Sequence, residues 1–227
     1  MNRHPNYPKQ YRYVDLTAGK GFTPDGTKGS PIVFLEQAES GSFKIPYRAD
    51  FIELNRQNLS ELESAVKVEA ERNEWKTEHW RLHTGDYRKK VRELFSHVSA
   101  NEFGLVFVDP SGCPPDFETL CYVAEVRPRM EILIYLSSTN VKRLFQYRHK
   151  LLSDYMNKIG KKYWLFRKPV SWDRFKWTFL LGTNTSKFKD YRKIDLFRLD
   201  SETGQECFSK VNLSAKQHQN LIQPPLL

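Results

Sequence analysis

Between residues 11 and 159, short apolar runs that stop at small or acidic residues alternate five times with stretches of helical period. No other feature restricts the fold as much, because strands separated by a helix return to the sheet in parallel. Residues 11–16 (YRYVDL) run into the small-residue turn 17–21 (TAGKG), and Ser30-Pro31 starts a helix over 32–38. Residues 50–54 (DFIEL) form a second strand, and Leu59, Leu62, Val66 and Ala70 mark an amphipathic helix over 57–71. A third strand, 79–83, runs into Thr84-Gly85-Asp86, and Tyr87, Val91, Leu94, Phe95 and Val98 then share one helical stripe. Residues 103–108 (FGLVFV) have the unbroken apolar character of a strand buried on both faces, and they stop at Asp109-Pro110-Ser111-Gly112.

A helix over 116–126, a strand over 131–136 (EILIYL) and a long helix over 141–159, stopped by Gly160, complete the alternation. In that helix Val141, Phe145, Leu152, Met156 and Ile159 face inward. The rhythm then changes. Residues 163–167 and 176–181 are joined by KPVSWDRF, too short for a crossover helix, so they pair antiparallel. The expected architecture is α/β: an open, mainly parallel sheet with one reversed strand and helices on both faces. It occupies residues 1–213 as one domain, with 214–227 as a surface tail.

Composition narrows the environment. The chain has 227 residues, 39% of them hydrophobic, enough for a core without disulfides. Cys113, Cys121 and Cys207 are odd in number and lack metal-ligand spacing, and Cys113 reads as a small buried thiol. No apolar run approaches the roughly 20 residues of a membrane span, and MNRHPNYPKQYRY lacks the apolar stretch of a secretory leader. These features predict a cytoplasmic protein with no membrane partner. Residues 141–198 hold 16 Lys/Arg against 4 Asp/Glu and 13 of the 31 aromatics, so the net charge of +9 resides there. A basic surface interleaved with aromatics suits DNA or RNA, and Trp172, Arg174, Phe175 and Lys176 are the expected contacts. The same composition also describes an aromatic strand pair beside a solvated basic face.

In a sheet of this kind ligands bind beyond the carboxyl ends of the strands. Asp15 and the 17–21 turn, Glu53, Asp86 and the 109–112 loop therefore belong to one candidate site. Gly19 and Gly21 let backbone approach a ligand, Glu53 is placed for a ribose diol, and Asp86 for an adenine amino group. Neither the Gly-x-Gly-x-x-Gly turn nor a Gly-Lys-Ser/Thr phosphate cradle is present, which favours an adenosine ligand without pyrophosphate. Taken singly, Asp15 reads equally as a loop cap, Asp86 as a helix cap and Glu53 as a solvated strand end.

YVDLTAGKG (13–21), FIELN (51–55), Thr84-Gly85-Asp86 and FVDPSG (107–112) together resemble the successive motifs of S-adenosylmethionine-dependent methyltransferases. The resemblance spans residues 11–182 and implies a Rossmann-like methyltransferase fold of seven strands with the last reversed. Within that superfamily, GSP (29–31), the Asp-Pro-Ser-Gly loop and WTFLLGTN (177–184) look most like the three-Cys-motif partner proteins of prokaryotes and phages, which carry Asp-Pro-Phe-Gly in that loop. The resemblance implies an S-adenosylmethionine cofactor. It places Asp15, Thr17, Ala18, Gly19 and Gly21 around the methionine part, Glu53 at the ribose, Asp86 with Tyr87 at the adenine, and Leu54 among the cofactor-binding residues.

It also implies catalysis by Asp109, Pro110, Ser111 and Gly112. Amino-methyltransferases with Asp/Asn-Pro-Pro-aromatic hold an exocyclic amine between the acid and the first proline carbonyl while the aromatic stacks on the base. Here Ser111 and Gly112 replace the second proline and the aromatic, so the motif lacks its stacking platform. Phe117, Trp172 or Phe175 are the candidate replacements. A Cys113 thiolate adding to cytosine is a competing mechanism, although Cys113 follows Gly112 rather than a proline. His79 and His83 alternate with Trp80 and Leu82 on a strand, a spacing unsuited to a shared metal. The leading expectation is adenine-N6 methylation of DNA or RNA, with sequence read only by the 23–29 loop, the 110–116 loop and the C-terminal segment. The rival is a catalytically silent accessory protein that binds a nucleic-acid or protein partner.

Overall fold

A computed structural model describes residues 10–42, 45–97, 101–110, 112–148, 151–169 and 177–212. The strands are β1 (Tyr11–Asp15), β2 (Tyr47–Glu53), β3 (Trp80–Thr84), β4 (Phe103–Val108), β5 (Met130–Ser137), β6 (Tyr163–Arg167), β7 (Trp177–Thr183) and β8 (Leu196–Arg198). The helices are α1 (Ser30–Gln37), α2 (Arg56–Asn73), α3 (Tyr87–Leu94), α4 (Phe117–Val126), α5 (Ser138–Arg148), α6 (Leu152–Ile159) and α7 (Glu202–Ser209). The strand order is β3-β2-β1-β4-β5-β7-β6-β8. Contacts divide the chain into two compact units, one reaching Val108 and including Glu125–Glu131, the other made of Asp109–Ala124 and everything from Ile132 onward. Among the described residues no helix is long and apolar enough to cross a membrane.

In the first unit β1 lies between β2 and β4, parallel to both, and β2 pairs in parallel with β3. Val14, Phe51, Ile52, Val106 and Val108 have almost no exposed surface. The stripe expected on 57–71 is the inward face of α2, where Leu62, Val66 and Ala70 are buried. Gly104 faces Arg12 across the β1–β4 register at φ 152°, and a Cβ there would stand 1.7 Å from the Arg12 carbonyl oxygen. Only a glycine fits that position.

Ionic groups lie inside this apolar frame. Arg12 is 6% exposed and Asp50 0%. The Arg12 guanidinium bonds Asp50 at 3.0 Å and Glu102 at 2.8 Å, and lies 4.7 Å from the Phe95 ring centre. Arg127 also pairs with Glu102 and lies 4.6 Å from the same ring. Asp50 further accepts from Arg48 at 3.2 Å and meets His83 at 2.8 Å. Burial raises the Asp50 carboxyl, but His83, Arg12 and Arg48 outweigh it and hold the group at about 2.

In the second unit β7 runs antiparallel to both β5 and β6, and β8 antiparallel to β6. Two strands are therefore reversed rather than one, and the sheet has eight strands rather than seven. The added strand is the three-residue LFR, too short to carry a period, and its partners on β6 define it. The helix expected over 141–159 is also two helices. Leu151 is extended at φ −76° and ψ 157°, and its N–H donates to Asp154 at 2.8 Å, so a fresh N-terminus forms where a continuous helix was expected. Val141, Leu152, Met156 and Ile159 are buried as expected. The Phe145 side chain lies outside the described residues, and Gly160 ends α6 at φ 73°. Residues 214–227, read as a tail, also lie outside them.

Two outcomes follow from the first unit. Gly104→Ala forces β1 and β4 apart and costs about 3 kcal/mol or more in denaturant unfolding, where exposed glycine replacements cost far less. For Asp50, the folded value of about 2 lies below its ordinary 3.8. Its stabilisation is complete above about pH 4 and disappears as pH falls through about 2, on the order of 2 kcal/mol. Asp50→Asn should remove that part of the acid slope and cost about 3 kcal/mol at pH 7 by leaving the buried Arg12 charge with Glu102 alone.

Candidate active site

The parallel registers bring the carboxyl ends of the first four strands to one edge, with Asp15 opposite both Phe51 and Phe107, and Glu53 opposite Thr84. The turn after β1 is tied to its neighbours on both sides. Leu16 N–H donates to the Phe107 carbonyl and Ala18 N–H to that of Ile52, both at 2.9 Å. Gly21, at φ 88°, passes so close to α2 that a Cβ would stand 3.1 Å from Leu62 and Ala65. Gly29 N–H closes the segment on the Gly21 carbonyl at 2.7 Å.

Asp15 builds this turn from beneath. It is 0% exposed, and its carboxylate accepts from Ser30 Oγ at 2.6 Å, Thr17 N–H at 3.0 Å and Tyr13 Oη at 3.3 Å. Burial, then the Asp15 charge, push the Tyr13 phenol well above its ordinary range. Tyr13 stacks on Phe34 of α1 at 3.9 Å, which anchors the acid's neighbour. The loop-cap alternative for Asp15 thus describes its contacts.

Glu53 is half-buried and couples the two loops. One oxygen accepts Gly19 N–H at 2.9 Å; the other accepts Asn55 N–H at 2.9 Å and Asn58 Nδ2 at 3.3 Å. Asn55 in turn caps α2 through Gln57 N–H at 2.8 Å. Leu54, the next residue along, is 70% exposed. Asp86 caps α3, accepting Arg88 N–H at 2.9 Å, and pairs with the Arg88 guanidinium. That pairing is the main reason its carboxyl is lowered. Tyr87, half-buried, opens the helix.

These residues fit an adenosyl ligand. Gly19 sits at φ 66° with nothing within 4 Å of where a Cβ would be, so the turn has open space on that side. Beside it lie a half-buried carboxylate, with room on one oxygen for a further hydrogen bond, and an exposed apolar side chain, an acceptor and an apolar surface suited to a ribose hydroxyl and a flat ring.

In the second unit Asp109 follows Val108 directly, is half-buried, and is pushed up to about 6 by burial. Pro110 is buried. Gly112, at φ 71°, is exposed, and a Cβ there would meet the Arg143 guanidinium at 3.8 Å. Ser111 lies outside the described residues, as do Trp172, Arg174, Phe175 and Lys176. Phe117 is 2% exposed and stacked on Tyr155 at 4.1 Å, so it belongs to the core and offers no platform. Cys113 is exposed, contrary to the buried thiol expected, because it lies in the loop before α4 rather than on an element with an inward face. His79 ends a short turn near Glu39, whereas His83 on β3 bonds Asp50. Among the described residues no group of three His, Cys, Asp or Glu is arranged to hold a metal ion.

Sequence reasoning missed one feature of this unit. Tyr135 of β5 and Trp177 and Phe179 of β7 form an aromatic cluster, with ring centres 5.6 to 5.9 Å apart. The Arg167 guanidinium lies 5.0 Å from the Trp177 ring centre. The alternation in EILIYLS carried the signal, since it separates Tyr135 from the core-facing isoleucines.

No protein-family model matches the sequence, and no curated protein matches it in sequence. Solved structures do match. Protein LPL1258 from Legionella pneumophila str. Philadelphia 1 superposes with a TM-score of 0.53 at 12% identity, over 82% of this chain and 80% of that one. The CMeT domain of the citrinin polyketide synthase gives 0.50 at 9% identity, over 82% and 48%. The structure of M. jannaschii TYW2 in complex with AdoMet is more distant, at 0.44 and 15% identity over 77% and 68%. At such identities the likeness is one of fold: the chain has the Rossmann-like α/β fold of methyltransferases, carrying an eighth strand.

Proposed function

We propose that this protein is an S-adenosylmethionine-dependent methyltransferase acting on DNA or RNA, with an exocyclic base amine, foremost adenine N6, as its target. The observation that carries the reading is Asp109: a half-buried carboxyl held near 6, followed by a buried proline, directly after the strand that pairs along its length with the glycine-turn strand. Thr17, Ala18, Gly19 and Gly21 hold the methionine part of the cofactor over the open side of the turn. Glu53 receives the ribose, and Leu54 with Tyr87 lies against the adenine. When bound, S-adenosylmethionine supplies a methyl group already activated on a sulfonium, so the protein's task is orientation. Asp109 accepts a hydrogen of the amine, the Pro110 carbonyl accepts the second, and the proton released from nitrogen passes to Asp109 and on to water. A base near pH 6 is well matched to that exchange. The finer resemblance to three-Cys-motif partner proteins, a cytoplasmic setting and recognition through the basic stretch 141–198 belong to the same reading.

A second reading has its own support. Both Glu53 oxygens and the Asp86 carboxylate already accept bonds from the protein, an arrangement that suits a catalytically silent accessory protein binding a nucleic-acid or protein partner. The two separate on incubation with labelled S-adenosylmethionine and DNA, RNA or protein, followed by digestion to nucleosides and residues. Label in N6-methyladenosine is expected; no label in any sample favours the accessory protein.

Within the enzymatic reading, Asp109→Ala lowers transfer by about 10²-fold or more while calorimetric cofactor affinity stays within twofold. Transfer requires the ionised acid, so kcat/KM rises about tenfold per pH unit up to about 6 and is flat above it. Asp109 also carries a stability cost. Its folded value lies above the ordinary 3.8, so the penalty is absent below about pH 4 and complete above about 6. Asp109→Asn should therefore raise unfolding stability at pH 8 by about 1–2 kcal/mol while abolishing transfer.

A further inference from the structure

The Asp-Pro-Ser-Gly loop has no aromatic to stack on a base, yet the unit that contains Asp109 carries an aromatic surface with no part in the core. Across the β5–β7 register, Ile132 faces Gly182, Ile134 faces Leu180 and Leu136 faces Thr178; all six are buried. The alternate pairs, Leu133 with Leu181, Tyr135 with Phe179 and Ser137 with Trp177, are only half-buried. On an antiparallel pair with one face in the core, the other face is ordinarily polar. Here it carries three large rings at the carboxyl end of β5 and the start of β7.

We propose that Tyr135, Trp177 and Phe179 are the stacking platform for the target base, taking the place of the aromatic missing from the Asp109 loop, with Arg167 at its border drawing in the phosphate backbone. The inference rests on the nucleic-acid reading above and assigns that site its base-binding residues. Four observations support it. The rings pack on one another edge-to-face and offset while each stays only half-buried, so part of every ring is accessible to a base. Arg167 supplies a cation against the indole, a contact that suits an anionic strand passing beside it. Asp109 stands within electrostatic reach of this surface: burial first, and then the Asp109 charge, raise the Tyr135 phenol. Phe117, the first aromatic after the Asp109 loop, is consumed by its stack on Tyr155.

The test compares two single-stranded oligonucleotides, one with a single adenine among pyrimidines and one with an abasic site in its place. Binding is read by fluorescence anisotropy on the full chain. The wild type is expected to prefer the adenine strand by about tenfold. Tyr135→Leu and Phe179→Leu should reduce that preference below twofold and raise KM for the strand, with cofactor affinity by calorimetry unchanged. Tyr135→Phe, which keeps the ring, should retain the preference. Leucine variants that keep the full preference overturn the platform and leave the nucleic-acid reading standing. A wild type that methylates only protein or small molecules overturns that reading and the platform with it. Should the leucine variants not fold, an oligonucleotide with 8-azidoadenine at the target position is crosslinked to the wild type. Adducts within β5 or β7 support the proposal, and adducts confined to other segments sink it.

Discussion

A buried arginine in the middle of a parallel sheet is the constraint on which the first unit depends. Arg12 occupies β1, where the neighbouring side chains are apolar, and a charge there is tolerated only if every donor has a partner. Asp50 on β2 and Glu102, just before β4, meet that need from opposite sides. Shifting either neighbour by one residue would turn its partner to the other face of the sheet and strand the guanidinium. The pairing therefore fixes register as well as balancing charge. Phe95, lying under the Arg12 and Arg127 guanidiniums, extends the same arrangement to the end of α3.

The register fixed by Arg12 determines where the strands end, and the candidate cofactor site is made of those ends. Glu53 reaches the backbone of Gly19 only because β1 and β2 stop at matched levels. Asp15 is invested in holding the turn, and the open space lies at Gly19, where nothing stands within 4 Å of a Cβ position. Two carboxylates that look alike in a motif thus do different work, one building the loop and one lining it. The glycine turn is rigid at Gly21, pressed against α2, and open at Gly19.

The second unit has a different logic. Its strands alternate in direction, and β7 between β5 and β6 carries inward-facing small or aliphatic residues and outward-facing aromatics. Where Gly182 meets Trp164 across the β6–β7 register, a Cβ would stand 2.7 Å from the indole, so the ring lies flat against the strand only because glycine is there. The same alternation leaves Tyr135, Trp177 and Phe179 half-exposed in the unit that holds Asp109.

Much of this was legible in the chain. Hydrophobic period located all seven expected strands, because a buried strand or amphipathic helix writes its environment into consecutive residues. FGLVFV and YWLFR occupy the spans their patterns predicted, and Gly160 ends its helix in the left-handed conformation. The break at Leu151 and the strand Leu196–Arg198 were not legible. The first depends on Asp154 choosing a backbone N–H over solvent, and the second on a partner strand thirty residues earlier. The acids at strand ends were visible as a set, but their division of labour was not. Whether a carboxylate faces a ligand, a loop N–H or an arginine depends on neighbours distant in sequence. Local spacing thus determined which elements form and where chemistry could sit. Only tertiary packing decided that Asp15 accepts from the turn and Asp86 caps a helix, that Asp109 is half-buried and held near 6, and that the aromatic cluster of its unit is assembled from two strands. Desolvation and cross-strand contact belong to the assembled surface and have no local signature in the chain.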